Sequence, residues 1–148
     1  MRVKNDYGEE HPNLRGSRLW KHGDLLGAEK SFLASIERNP ESDTGYGILA
    51  GFYLEQGELE KARSTLKRWK EETPLRFRAS YHIMWTQLLS LEAIHEVTPE
   101  RREHQKQNAL FHLKAAIDAG FDNDDIILKD PKLEYIRDTP EFWELVQS

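Results

Sequence analysis

Apolar residues in this chain recur three and four positions apart in one segment after another, the spacing that lays a single buried stripe along a helix. Leu25, Ala28, Phe32 and Ile36 make one stripe, and Leu59, Ala62, Leu66 and Trp69 make another. Helix breakers separate them: Gly23-Asp24, Asn39-Pro40, Gly57 and Thr73-Pro74. Glycine and proline punctuate helices because one frees the backbone and the other lacks the N–H. The pattern therefore predicts helices over about 12–22, 25–38, 43–56 and 59–72. No strand pattern is obvious anywhere in the chain.

The stripes also repeat. Moving Gly16–Pro40 forward by 34 residues places Gly16 on Ala50, Leu19 on Tyr53, Gly23 on Gly57, Ala28 on Ala62, Phe32 on Leu66 and Pro40 on Pro74. Such a period, with small, large and breaking residues each at a constant offset, is the signature of stacked helical hairpins. The small residues have a mechanical reason. Two helices close to about 8–10 Å only where their facing side chains are slight, which Gly16 with Ala28 and Ala50 with Ala62 allow.

Further on, Arg76–Val97 predicts a longer leading helix, Thr98-Pro99-Glu100 a turn, and 99–119 a return helix carrying Ala109, Leu113, Ala116 and Ile117 before Gly120. After Gly120 the texture changes. Asp130-Pro131 and Thr139-Pro140-Glu141 each set a capping side chain before a proline, so short helices are expected at about 124–129, 131–137 and 140–147. Phe121, Ile126, Leu133, Ile136, Phe142 and Trp143 would form their buried side, covering the apolar edge that a last repeat exposes. Residues 1–11 read as a loose tail.

These residues resemble the tetratricopeptide repeat family: Gly16, Gly23, Ala28, Phe32 and Pro40 in the first unit, and Tyr46, Leu49, Ala50, Tyr53, Gly57, Ala62 and Pro74 in the second. The segment after Gly120 is similar to the closing segment of many bacterial members. The resemblance implies one all-α domain over 1–148, a right-handed superhelix with three hairpins over 12–120, the third elongated, and capping helices over 121–148. It also implies a protein or peptide partner held in the concave groove of the leading helices. By helical spacing that groove takes Asn13, Ser17, Trp20 and Lys21 from the first unit, Thr44, Gly47, Gly51 and Glu55 from the second, and Arg78, Tyr81, His82 and Trp85 from the third. The family's chaperone-binding branch clamps a terminal carboxylate with lysines and asparagines; here Ser17, Ile48 and His82 stand at clamp places with Asn13, and only Arg78 fits, so that ligand is not expected. Two reasons for Gly47 and Gly51 stay open: a partner side chain enters over them, or Trp20 and Trp85 pack across the gap.

Composition narrows the chemistry. The 148 residues are 38% hydrophobic and 32% charged, suiting amphipathic helices with solvated outer faces. With no cysteine, disulfides and thiolate or cysteine-zinc chemistry are excluded. No run approaches the roughly 18 apolar residues of a membrane span and the start lacks a secretory signal, so a cytoplasmic protein without membrane partners is expected. The net charge of −5 conceals a segregation. Residues 61–81 hold seven basic against two acidic residues, and 118–148 hold nine acidic against three basic. These are two solvated faces, or they meet within the chain or across a homodimer.

Reactive constellations are sparse. No Gly-x-Ser-x-Gly elbow and no phosphate loop is present, so an enzyme has no residues to stand on. Trp69, Phe77 and Tyr81 interleave the basic stretch as a nucleic-acid surface would, yet the chain is acidic overall and Trp69 falls at a core position; no nucleic-acid partner is expected. No cofactor is expected either. The alternative to an interaction module is a metal-dependent site on the third hairpin, where His95, His104 and His112 could approach one another as three imidazole ligands.

Overall fold

The computed structural model describes residues 10–147. Of the tail expected over 1–11, all but Glu10 and His11 lies outside the described residues. Glu10 folds back along the first helix, its carboxylate 2.8 Å from the Arg18 guanidinium.

Six helices form three consecutive hairpins: α1 (Pro12–Lys21) with α2 (Leu25–Arg38), α3 (Asp43–Gln56) with α4 (Leu59–Glu72), and α5 (Arg78–His95) with α6 (Pro99–Asp118). Their ends follow local chemistry. The Asp24 carboxylate accepts from the Gly27 N–H at 2.9 Å and starts α2. Gly57 ends α3 in the left-handed region at φ 72°, which a glycine adopts without a Cβ clash. Each return helix then packs on the next leading helix, α2 on α3 and α4 on α5. The chain is thus an all-α stack of helical hairpins.

Closest approach occurs at the small residues. Ala28, Ala50 and Ala62 are wholly buried, with Phe32, Leu66 and Tyr46 filling the space beside them. A Cβ added to Gly16 would lie 2.5 Å from Cε1 of Phe32, so only glycine lets α1 settle on α2.

Asp43, at the start of α3, ties the second hairpin to the third. Its Oδ1 accepts from the Trp69 indole N–H at 2.5 Å and the Thr73 hydroxyl at 3.1 Å, while Oδ2 accepts from the Arg76 N–H at 3.3 Å. Between those donors the chain turns at Leu75, whose φ of 55° is left-handed without being glycine. Such a backbone persists where its surroundings over-determine it. Here the Leu75 N–H donates to the Thr73 hydroxyl at 3.0 Å and its side chain packs on the core.

After Gly120 come α7 (Asp124–Lys129), a 3-10 turn (Pro131–Leu133), α8 (Glu134–Arg137) and α9 (Pro140–Gln147). The stretch expected as one helix over 131–137 is therefore divided. Leu133, Ile136 and Phe142 are fully buried, and this segment covers α5 and α6. Trp143, expected on the buried side, is 41% exposed and donates its indole N–H to the Arg137 carbonyl at 2.9 Å. The basic and acidic stretches make separate pairs: Lys61 with Glu29 at 3.1 Å and Arg63 with Glu92, against Lys106 with Glu141 at 3.7 Å and Lys132 with Glu55 at 2.5 Å.

Candidate functional site

The leading helices α1, α3 and α5 line a concave pocket of about 400 Å³. Helix α1 contributes Ser17 and Trp20, which the 3.6-residue period sets on one face. From α3 come Gly47, Ile48, Gly51, Phe52, Leu54 and Glu55, and from α5 Met84 and Gln87. The last wall is Lys132, brought in by the 3-10 turn of the closing segment.

The floor is apolar and the rim is charged. Trp20 is half-buried and meets Phe52 edge-on at 5.0 Å and Phe32 at 6.3 Å, which fixes its plane at the pocket edge. Gly51 leaves space: a Cβ there would meet only the terminal methyl of Met84, at 3.8 Å. Gly47 is tighter, with the Trp69 ring 3.3 Å from an added Cβ. At the rim Lys132 sits between Glu55 at 2.5 Å and Asp130 at 3.5 Å, and Asp130 also accepts from Gln87 Nε2 at 2.7 Å. Burial by itself would lower the Lys132 pKa, but the Glu55 hydrogen bond and the Asp130 charge hold it above the ordinary lysine value.

Five of the twelve residues expected in the groove line this pocket: Ser17, Trp20, Gly47, Gly51 and Glu55. Asn13 is half-buried, with its carboxamide oxygen buried and without a hydrogen-bond partner. Lys21 is exposed and stands apart from the lining. Thr44 borders a different cleft, with Pro74, Arg76 and Phe77. The four residues expected from α5 lie away from the pocket. Tyr81 and Trp85 are buried, Tyr81 edge-on to Trp69 at 5.5 Å and Trp85 stacked on His112 at 5.5 Å with the Arg63 guanidinium 5.2 Å from its ring. His82 faces His112, the two Nδ1 atoms 2.9 Å apart, and Arg78 is exposed one turn before it. Trp85 is thus turned from the glycines toward His112, while Trp20 borders the pocket beside Gly47 and Gly51.

The residues missed by sequence reasoning are Phe52, Leu54, Met84, Gln87 and Lys132; Ile48, considered only as a clamp place, also lines the pocket. The α3 residues share a helix with Gly47 and Gly51, and their positions around its axis could have placed Ile48 and Phe52 at the rim. No local signal places Lys132, which arrives through the fold-back of the closing segment.

The three histidines of the metal alternative do not converge. His95 and His104 are exposed, His112 turns to His82, and among the described residues no group of three or more His, Cys, Asp or Glu could hold a metal ion. Among the described residues no helix is long and apolar enough to cross a membrane.

Residues 19–82 match the family model described as Tetratricopeptide repeat, spanning most of the first two hairpins and the start of α5. No curated protein and no solved structure matches the chain. The period of 34 residues, the buried small residues at each hairpin's closest approach and the family match agree in marking residues 19–82 as similar to the tetratricopeptide repeat family.

Proposed function

We propose that the chain is a non-catalytic, cytoplasmic adaptor that binds a segment of another protein in the concave pocket. The match of residues 19–82 to a repeat family whose domains bind proteins supports an interaction module. The observation that carries the groove reading is the bare floor at Gly51, framed by Trp20, Ile48, Phe52 and Met84. Glycine within a helix costs about 1 kcal/mol relative to alanine. At Gly51 no neighbour is close enough to demand it, so the vacant space is the feature retained. An apolar or aromatic side chain of the partner fits there, with polar backbone atoms reaching Gln87, Lys132 and Glu55 at the rim. Neither nucleic acid nor a metal belongs to this reading.

The deciding experiment is Gly51→Leu. The parent and the variant are immobilised side by side, and bound proteins are compared by mass spectrometry alongside the melting curve of each. The expected variant melts like the parent and loses the parent's specific partner. A variant that melts like the parent and retains that partner overturns the groove.

A further inference from the structure

The charge segregation of the sequence becomes two separate surfaces in the fold. Around the α4–α5 turn the exposed residues Lys67, Arg68, Lys70, Arg76 and Arg78 outnumber the exposed Glu71 and Glu72. Near the end of the chain Glu134, Asp138, Glu141 and Glu144 are exposed. The one cation among them, Arg137, is taken by the backbone: its Nε donates to the Ile127 carbonyl at 3.3 Å and its Nη2 to the Asp130 carbonyl at 2.7 Å. The third hairpin stands between the two surfaces, with α4 packed on α5 from the second unit and the closing segment on α5 and α6 at the end of the stack. Among the described residues the five cations make no ion pair, and of the four acids only Glu141 does, with Lys106 at 3.7 Å. The two surfaces are therefore not satisfied by each other within one chain.

Each surface also carries an exposed aromatic ring. Phe77, between Arg76 and Arg78 in the chain, is 55% exposed. Trp143 is 41% exposed, and its indole N–H is already satisfied by the Arg137 carbonyl at 2.9 Å, which holds the ring beside the Arg137–Asp138 peptide with Glu144 next in the chain. An apolar ring amid charges of one sign has the make-up of a contact surface: the ring supplies area to desolvate, and the charges orient and select the partner. A tryptophan face also attracts guanidinium and ammonium groups, which the opposite surface supplies. The chain thus presents both halves of one contact on sides that do not meet within it.

We infer that the chain associates with a second copy of itself, the surface of Lys70, Arg76, Phe77 and Arg78 in one copy docking on that of Asp138, Glu141, Trp143 and Glu144 in the other. Because the two patches differ, the contact repeats head to tail, or closes where two copies dock reciprocally. Neither patch lines the concave pocket, so the association stands or falls independently of what that pocket holds.

The test is sedimentation velocity of the full chain over a concentration series, at about 0.01 M salt, where charges act over about 30 Å, and at about 0.15 M, where they act over about 8 Å. The expected parent associates as its concentration rises, at least about tenfold more weakly at the higher salt. Two charge-reversed variants, Lys70→Glu with Arg78→Glu and Asp138→Lys with Glu144→Lys, change exposed positions only. Each alone stays monomeric, whereas their equimolar mixture associates, because the first retains the acidic patch and the second the basic one. A mixture that stays monomeric overturns the inference, as does a variant that self-associates like the parent. Should circular dichroism show that a variant does not fold, the parent's own salt series decides. A parent that is monomeric at every concentration, or whose association is indifferent to salt, overturns the inference and leaves the two patches to unlike partners.

Discussion

Glycine-to-alanine substitution at different helix positions isolates packing in this fold, because the chemical change is the same each time. Gly16 lies inside α1 and Gly51 inside α3. At both, alanine raises helix propensity by about 0.8–1 kcal/mol and restricts the unfolded chain alike. What differs is the neighbour. At Gly16 the new Cβ meets Cε1, Cδ1 and Cζ of Phe32 at 2.5, 2.7 and 3.0 Å, against an optimum of about 3.5–4.0 Å. Phe32 is fully buried and its ring has nowhere to retreat, so overpacking costs about 1–3 kcal/mol. The net for Gly16→Ala is a loss of about 1 kcal/mol. At Gly51 the nearest atom is the mobile Met84 methyl at an ordinary 3.8 Å, so Gly51→Ala keeps the full propensity gain of about 1 kcal/mol. For a chain of this size, 1 kcal/mol moves the melting temperature by about 2–4 °C. Thermal denaturation followed by circular dichroism should place Gly51→Ala above the parent and Gly16→Ala below it, separated by about 4–8 °C. Gly47→Ala, 3.3 Å from the Trp69 ring, should fall between them. A Gly16→Ala protein that melts at or above Gly51→Ala would refute the claim that Gly16 is the contact point of α1 and α2.

Three further outcomes follow from the packing and the titrating groups. Ala62→Leu, at a wholly buried position between α3 and α4, should cost about 1–3 kcal/mol in urea unfolding; an unchanged midpoint would remove Ala62 from the interface. The fragment 1–120 loses the cover supplied by Leu133, Ile136 and Phe142, so it should aggregate or unfold without cooperativity, as light scattering and thermal melts would show. His112 is neutral in the folded protein down to about pH 4, whereas the unfolded imidazole takes up its proton near 6.5. Its contribution is therefore complete above about 6.5 and is lost as the pH falls toward about 4, on the order of 2 kcal/mol after allowance for its partial exposure. The parent should lose more stability than His112→Gln between pH 7 and 4.5, and parallel losses would count against the effect.

The first four helices were legible in the sequence because each is bounded by a residue with one physical meaning, Asp24 and Gly57 above all. The orientation of α5 was not. From Tyr81 to Ala93 this helix buries residues almost all the way round, including Ile83, Trp85, Thr86, Leu88, Leu89 and Ser90. With no polar stripe, periodicity cannot say which face meets the groove. Offsets carried over from the shorter units selected Arg78, which is exposed, Tyr81, which meets α4, and His82 and Trp85, which meet α6, while Met84 and Gln87 line the pocket. The division of 131–137 into a 3-10 turn and α8 was hidden for a related reason: a proline after a capping residue marks a helix start without stating its type.

The Lys132–Glu55 contact has a mechanical meaning. A stack of hairpins that touch only their neighbours behaves as a spring, widening and narrowing its inner curve as adjacent units rock. Lys132 belongs to the end of the chain and Glu55 to its middle, so their contact is a strut across the curve, stiffened where Asp130 grips both Lys132 and Gln87. Breathing of the inner curve is damped between the second and third units and remains freer toward the first. A guest arriving in the pocket would meet a fixed jaw at the closing segment and a yielding one at Trp20, so adjustment on binding would be concentrated in α1.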